Sequence, residues 1–521
     1  MALPFSTRTM NLAHIVEQNA RRLGKHLAFA WGEQSWSWSA FDERVRSMAG
    51  VLADYGVGKG DPVLIQSLNC NQLFETMFAC FRLGAIWVPA NFRGMPDDLA
   101  WMAELSGAKL LICNAAFPEH ARIAGPETCL AIGEASFGPD LDTLMAARGG
   151  MVPSLAAVDR DDPAWLFFTS GTTGRPKASV LTHGQLGFVI NNHLCDLVPG
   201  ASPADASLVV APLTHGAGMH QLMLAAKGAP SILPAATRFD TAEIWELIKT
   251  RGITNMFTVP TILKMIVEAP EAAQPDGASL KHIIYAGAPM YRADQIRALD
   301  TLGPVIVQYF GLGEVTGAIT VLPPQDHSAG PEHREGTCGY PRTGMQVEIQ
   351  GEDGAPMPPG ETGEICVLGP AVFAGYWKNP EANAKSFRDG WFRTGDVGHM
   401  DAEGYVYITG RSSDMYISGG SNIYPREIEE KILTHPAVTE TAVFGMPDPK
   451  WGEIGVAVCV LNAGQSLKPG ELETFLRDKI ASYKLPRQVH VWDDLPKTGY
   501  GKLSKLVIRA ELERRMGVAA G

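Results

Sequence analysis

The segment Thr169–Gly174, TSGTTG, sets Ser and Thr hydroxyls among two glycines at the end of an apolar run, AWLFF, and Lys177 follows shortly after. Glycine permits positive φ and lets backbone N–H groups converge on an anion, while the hydroxyls add further donors. Lys177 brings a positive charge. The chemistry that suits Thr169, Ser170, Gly171, Thr172, Thr173, Gly174 and Lys177 is the cradling of phosphate; the same composition also suits an ordinary surface turn. The spacing Gly171-x-x-Gly174-x-x-Lys177 departs from the GxxxxGK[ST] of a Walker loop.

Such a loop needs a strand before it and a sheet around it, and the chain has the rhythm of one. PVLIQSL is a short apolar run. NQLFETMFACFRLGA then places Phe74, Met77, Phe78 and Phe81 on one helical face, and IWVPA is short and apolar again. The pattern returns through SLVVAPL, MHQLMLAAKG, DTAEIWELIKTRG, TNMFTV, KHIIYAG and PVIVQYF. Short apolar runs alternating with amphipathic helices predict an α/β fold, a large N-terminal domain of βα units with parallel sheets. After about residue 336 the signals become strand–turn–strand, as in MQVEIQGEDGAPMPPGETGEICVLG, a β-rich subdomain. Beyond TGRSSDM, Thr409 to Met415, a small α+β tail follows. The predicted domains are therefore 1–411 and 412–521.

A chain of 521 residues is too long for one core, and 45% apolar with 19% charged residues is the composition of a globular protein. A net charge of -12 argues against nucleic acid or an anionic membrane as the main partner. The eight cysteines show no CxxC pair and no metal-ligand spacing, no signal peptide is evident, and no run approaches the length of a membrane span. A cytoplasmic location is the expectation, and a homodimer is compatible with it.

TSGTTGRPK resembles the signature loop of the adenylate-forming superfamily, which includes acyl- and aryl-CoA synthetases, firefly luciferase and peptide-synthetase adenylation domains. Other motifs follow in that family's order, from RLGAIWVPAN to KTGYGK, over nearly the whole chain. The resemblance implies roles for particular residues. His215 in APLTHGAG lines an acyl pocket with Gly216, Ala217 and Gly218; Gly287, Ala288 and Pro289 in YAGAPM form the adenine turn. In QYFGLGE, Phe310 stacks on adenine beside Gly311, and Glu314 binds the Mg²⁺ that bridges the phosphates. Asp396 in WFRTGDVG and Arg411 in TGRSSD hold the ribose, Gly419 and Gly420 in SGGSNIYP face CoA, and Lys502 is the catalytic lysine. The C-terminal domain then rotates about a hinge at Ser413. Read singly, each has a plain structural account: a satisfied histidine, a solvated glutamate, an exposed lysine.

The implied activity is that of an AMP-forming acyl-CoA synthetase using ATP, Mg²⁺ and CoA. A carboxylate must approach an anionic α-phosphate, so catalysis consists mainly of positioning and charge neutralisation. One departure stands out. Gly313, also assigned to the acyl pocket, occupies the place of a threonine whose hydroxyl contacts the α-phosphate; losing one neutral hydrogen bond costs about 0.5–1.5 kcal/mol. A water or the nearby hydroxyl of Thr316 could substitute. The segments THGAGMHQLML and GEVTGAITVL contain no Arg or Lys, which favours an apolar monocarboxylic acid, fatty or aromatic, and the small residues at 216–218 predict room beside His215. The alternatives are a ligase loading a carrier protein and a nucleotide-binding pseudoenzyme; a luciferase-like oxygenase has no positive feature in its favour.

Overall fold

The computed structural model describes residues 7–516 except 127, 149–151, 170–174, 237, 274–278, 289, 291, 329–333 and 498–502. The chain falls into two compact units: Met1–Pro289, Asp294–Val347 and Val367–Phe392 form the first; Met290–Ala293, Glu348–Cys366 and Arg393–Gly521 form the second.

In the first unit Thr128–Ile132, Leu110–Asn114, Pro62–Gln66, Ile86–Ala90 and Pro163–Thr169 lie side by side in parallel, and Lys177–Thr182 closes the edge antiparallel to Pro163–Thr169. A second sheet runs Tyr340–Pro341, Thr320–Leu322, Ile306–Phe310, His282–Tyr285, Asn255–Thr258, Ser207–Val209, Ser231–Leu233, Leu27–Trp31, Gln34–Ser37. Its middle is parallel and its ends are antiparallel. Ile86–Ala90 is buried at every position, as expected of a parallel strand covered on both faces.

The helix Asn71–Leu83 differs from the one-faced helix its sequence predicts, for all of its residues are buried. Phe74 and Phe78 meet edge to face at 5.2 Å and both pack on Phe41 of the helix Trp38–Asp54. The polar face is covered as well because Glu75 finds Arg44 at 2.5 and 3.0 Å and Asn71 at 2.9 Å. A buried carboxylate persists only when so paired.

The second unit is α+β. Val438–Asp448 and Gly452–Leu461 pair antiparallel, Gln488–Trp492 joins the latter in parallel, and Tyr416–Ser418 touches it at Ser418–Gly452. One apolar face is filled by Ile428, Ile432, Ala457 and Leu476, the other by Phe444, Val456, Ile508 and Leu512. Among the described residues no helix is long and apolar enough to cross a membrane.

Candidate active site

Thr169 and Lys177 are register partners on the antiparallel strands that flank the segment 170–174. Ser170, Gly171, Thr172, Thr173 and Gly174 themselves lie outside the described residues. Both ends of the segment lead to one carboxylate. Thr169 Oγ1 donates to Glu314 Oε1 at 2.9 Å, and the Tyr376 hydroxyl donates to the same oxygen at 3.0 Å. The Lys177 ammonium sits over the Tyr376 ring, 4.7 Å from its centroid. Glu314 Oε2 meets no donor among the described residues. One oxygen is thus fixed by two hydroxyls and the other is available, the arrangement expected of a carboxylate offered to a hard divalent cation.

Glu314 owes its place to a tight turn. It sits in the 3₁₀ turn Gly313–Val315, after the strand Ile306–Phe310, and Phe373 N donates to its carbonyl at 2.8 Å. A Cβ at Gly311 would lie 2.4 Å from Gly317 Cα, so the loop closes on itself only with glycine there. Gly313 is occupied in a different sense. A Cβ at this position would lie 2.6 Å from Phe167 Cδ1 and Cε1 and 2.9 Å from Thr169 Cγ2. Any residue with a Cβ at 313 would meet the Phe167 ring, which fills that space. Thr316 is no ready substitute, for its hydroxyl donates to its neighbour's carbonyl, Val315 O, at 2.7 Å.

His215 precedes the helix Gly216–Ala225; its Nδ1 is 3.0 Å from Thr214 Oγ1 and its ring meets Phe167 edge on at 5.1 Å. The room expected beside it is taken. A Cβ on Gly216 would lie 2.5 Å from Phe257 Cζ, and one on Gly218 would lie 1.9 Å from the Leu213 carbonyl oxygen. Ala217 is buried. These small residues therefore admit an aromatic ring and a backbone turn: Phe167 packs on His215 itself and Phe257 on its neighbour Gly216. Behind it, His220 Nε2 is 2.8 Å from Asn255 Oδ1 and His220 Nδ1 is 2.9 Å from His193 Nε2. An amide oxygen only accepts, so His220 carries its proton on Nε2 and takes His193's proton at Nδ1. Burial pushes both imidazoles down, His220 to about 4.

The expectation that the pocket segments bring no arginine or lysine holds for their sequence but not for their surroundings. Arg342, fully buried, donates from Nη1 to Gly317 O at 3.2 Å and lies with Nε 3.6 Å from Asp196. Burial pushes its pKa down to about 10, against the pull of Asp196. Gly287 and Ala288 are exposed at the end of the strand His282–Tyr285, while Pro289 lies outside the described residues. Phe310 is half-buried at the end of its strand.

In the second unit Asp396 and Arg411 face each other across antiparallel strands, with Nε to Oδ1 at 3.0 Å. Ser413 is exposed, its hydroxyl 3.3 Å from Asp414 Oδ1. Gly419 and Gly420 have φ of 57° and 83°, a left-handed pair that side chains rarely adopt. Gly419 N donates to Trp451 O at 2.9 Å. A Cβ on Gly419 would lie 3.0 Å from the Trp451 ring. Trp451 is 37% exposed, with Lys450 and Arg487 at 5.0 and 5.3 Å from its ring. Lys502 lies outside the described residues; Lys497 and Leu503 pair antiparallel on either side of its segment.

Sequence reasoning missed Tyr376, Phe167, Phe257, Arg342 and Trp451. The first sits 62 positions from the glutamate it serves, and no local pattern marks it.

Comparison with known proteins identifies the family. The AMP-binding enzyme family model matches residues 16–377, and the AMP-binding enzyme C-terminal domain matches 427–502. The chain belongs to the AMP-binding enzyme family, and it is an AMP-forming acid–thiol ligase of the acyl-CoA ligase class. It is 38% identical to a feruloyl-CoA synthase of Amycolatopsis sp over 98% of this chain and 100% of that one. An indoleacetate–CoA ligase of Aromatoleum aromaticum is 32% identical over 97% and 99%. Among solved structures, o-succinylbenzoate CoA synthetase (MenE) from Bacillus subtilis with its acyl-adenylate superposes with a TM-score of 0.83 at 30% identity, covering 96% of this chain and 97% of that one. The amide bond synthetase McbA from Marinactinospora thermotolerans gives 0.86 at 25%, covering 96% and 99%.

Proposed function

We propose that the protein activates an apolar, aromatic monocarboxylic acid as its acyl-adenylate and passes the acyl group to CoA. The observation that carries this reading is Glu314, open at one oxygen and fixed at the other by Tyr376 and by Thr169, on the strand whose Phe167 packs on His215. Mg²⁺ held at Glu314 would neutralise phosphate charge. Lys177 adds a cation at the root of the loop. Lys502, from the second unit, would supply the ammonium beside the reacting carboxylate and α-phosphate; removing such a donor costs at least about 10²-fold, roughly 3 kcal/mol. Asp396, already ordered by Arg411, would accept from the ribose hydroxyls.

The aromatic preference is supported by Phe167 on His215, by Phe257 over Gly216 and by the aryl acids named for the relatives. For the second step, the Gly419–Gly420 turn would lie along the pantetheine arm, and Trp451 with Lys450 and Arg487 offers an apolar face and two cations to the nucleotide end of CoA. The two steps make different demands, so residues 412–521 would present Lys502 first and the glycine turn afterwards, pivoting at Ser413.

A pyrophosphate-release assay over a panel of acids tests the reading. Aryl monocarboxylates should exceed malonate and amino acids by at least about tenfold in kcat/KM, since an unpaired charge in an aromatic lining costs a kcal/mol or more. Malonate or an amino acid outperforming every aryl acid would overturn it. Acyl transfer to free CoA separates this protein from a ligase that serves a carrier protein.

A further inference from the structure

Next to His215, the glycine at 216 leads to a stacked aromatic pair. Phe257, which fills the space over Gly216, stacks with Tyr309 at 5.9 Å and 25°. The phenol edge of Tyr309 rests on Gly317: a Cβ there would lie 2.6 Å from Cε2 and 3.0 Å from the hydroxyl. Gly317 is what allows the phenol to lie in this position, and its carbonyl receives Nη1 of Arg342 from behind.

The polar groups at this end are under-used. Tyr285 and Tyr376 both spend their hydroxyls on protein partners. No hydrogen bond of the Tyr309 hydroxyl is found among the described residues, and the residue is half-buried. Arg342 Nε and Nη2 are sealed without a hydrogen-bond partner. The guanidinium acts on the phenol electrostatically, opposing the burial that raises the phenol's pKa. A cation behind a phenol polarises its O–H and makes it the stronger donor.

We infer that Tyr309 reads an oxygen substituent on the aryl ring of the bound acid, at the end remote from the carboxylate, with Arg342 as the positioning residue behind it. The substrate class is then a hydroxyaryl or alkoxyaryl carboxylic acid. This rests on the aryl-acid ligase reading above. An aliphatic end would leave the Tyr309 hydroxyl facing hydrocarbon, and sites built to pair a substrate oxygen discriminate against ligands that lack it.

The test is the kcat/KM for pyrophosphate release with 4-hydroxycinnamate and with cinnamate, in the wild type and in Tyr309→Phe. The wild type should favour the hydroxylated acid, and Tyr309→Phe should shrink that preference by about 3- to 10-fold, chiefly through KM. A purely structural role would lower both acids together and leave their ratio untouched. Arg342→Lys, which keeps the charge, should retain more of the preference than Arg342→Met, compared at temperatures where both variants are folded by circular dichroism. An equal wild-type response to the two acids, or a ratio unmoved by Tyr309→Phe, overturns the role of Tyr309 while the ligase reading stands. Failure of both acids and of an alkanoate to release pyrophosphate overturns the ligase reading and this inference with it.

Discussion

Gly313→Ala adds one methyl where three atoms already stand within 3.0 Å: Phe167 Cδ1 and Cε1 at 2.6 Å and Thr169 Cγ2 at 2.9 Å. None is the loose end of a flexible chain. Phe167 is held between Trp165 at 5.8 Å and His215 at 5.1 Å, and Thr169 is bonded to Glu314. Accommodating the methyl must shift the ring against His215 or the hydroxyl away from Glu314. Overpacking of this kind costs about 1–3 kcal/mol. Gly313→Ala should therefore lower Tm and slow acid-dependent exchange of pyrophosphate into ATP by about 5- to 150-fold, if the same strain falls on the transition state. Gly313→Thr should be slower still, although it restores a hydroxyl. In a Phe167→Leu background the methyl has room, and the cost of Gly313→Ala should fall by at least about 0.5 kcal/mol. A Gly313→Ala protein as fast as the wild type, or an equal cost in both backgrounds, would refute the claim that Phe167 fills the space at 313.

Tyr376→Phe removes one of the two donors to Glu314 Oε1, a hydrogen bond to a charged acceptor worth about 1.5–3 kcal/mol; pyrophosphate exchange should fall about tenfold or more, and an unchanged rate would count against Glu314 as the metal carboxylate. Buried His183 and His220 are each pushed down to about 4 by burial, so the native state holds them neutral while the unfolded state takes up protons below about 6.5. Stability should thus be lost as pH falls through the window from 6.5 toward 4, by about 1 to 2 kcal/mol apiece at pH 5.5 relative to 7.5, seen as a lower Tm; a flat Tm over that range contradicts it. Asp396→Asn keeps the shape but weakens acceptance from a ribose diol, so KM for ATP should rise about tenfold with a smaller change in kcat; the reverse split would place Asp396 elsewhere in the cycle.

The parts of the site legible in the sequence were those whose chemistry is local. The run AWLFF ahead of TSGTTG reads as a strand and is one, and the alternation after residue 60 reads as βα units because buried parallel strands and their helices leave different periods. What was not legible came from distance. Lys177–Thr182 turns back antiparallel on a parallel sheet, which places Thr169 opposite Lys177. Tyr376 reaches Glu314 only because 373–377 runs alongside Ala178 and Val180, with Ala374 N donating to Val180 O at 3.1 Å. Gly216 and Gly313 look like open space in a sequence, and the fold fills both with phenylalanines. Arg342 lies 25 positions beyond the glycine whose carbonyl it binds, outside any segment a pocket motif would flag.

Mixing enzyme, ATP, Mg²⁺ and an aryl acid without CoA, then adding CoA, separates the two half-reactions. The account predicts one pyrophosphate per enzyme in a burst before CoA, little free AMP, and AMP with acyl-CoA in equal amounts after it. Steady AMP release without CoA, or a pyrophosphate signal indifferent to the acid, would contradict it.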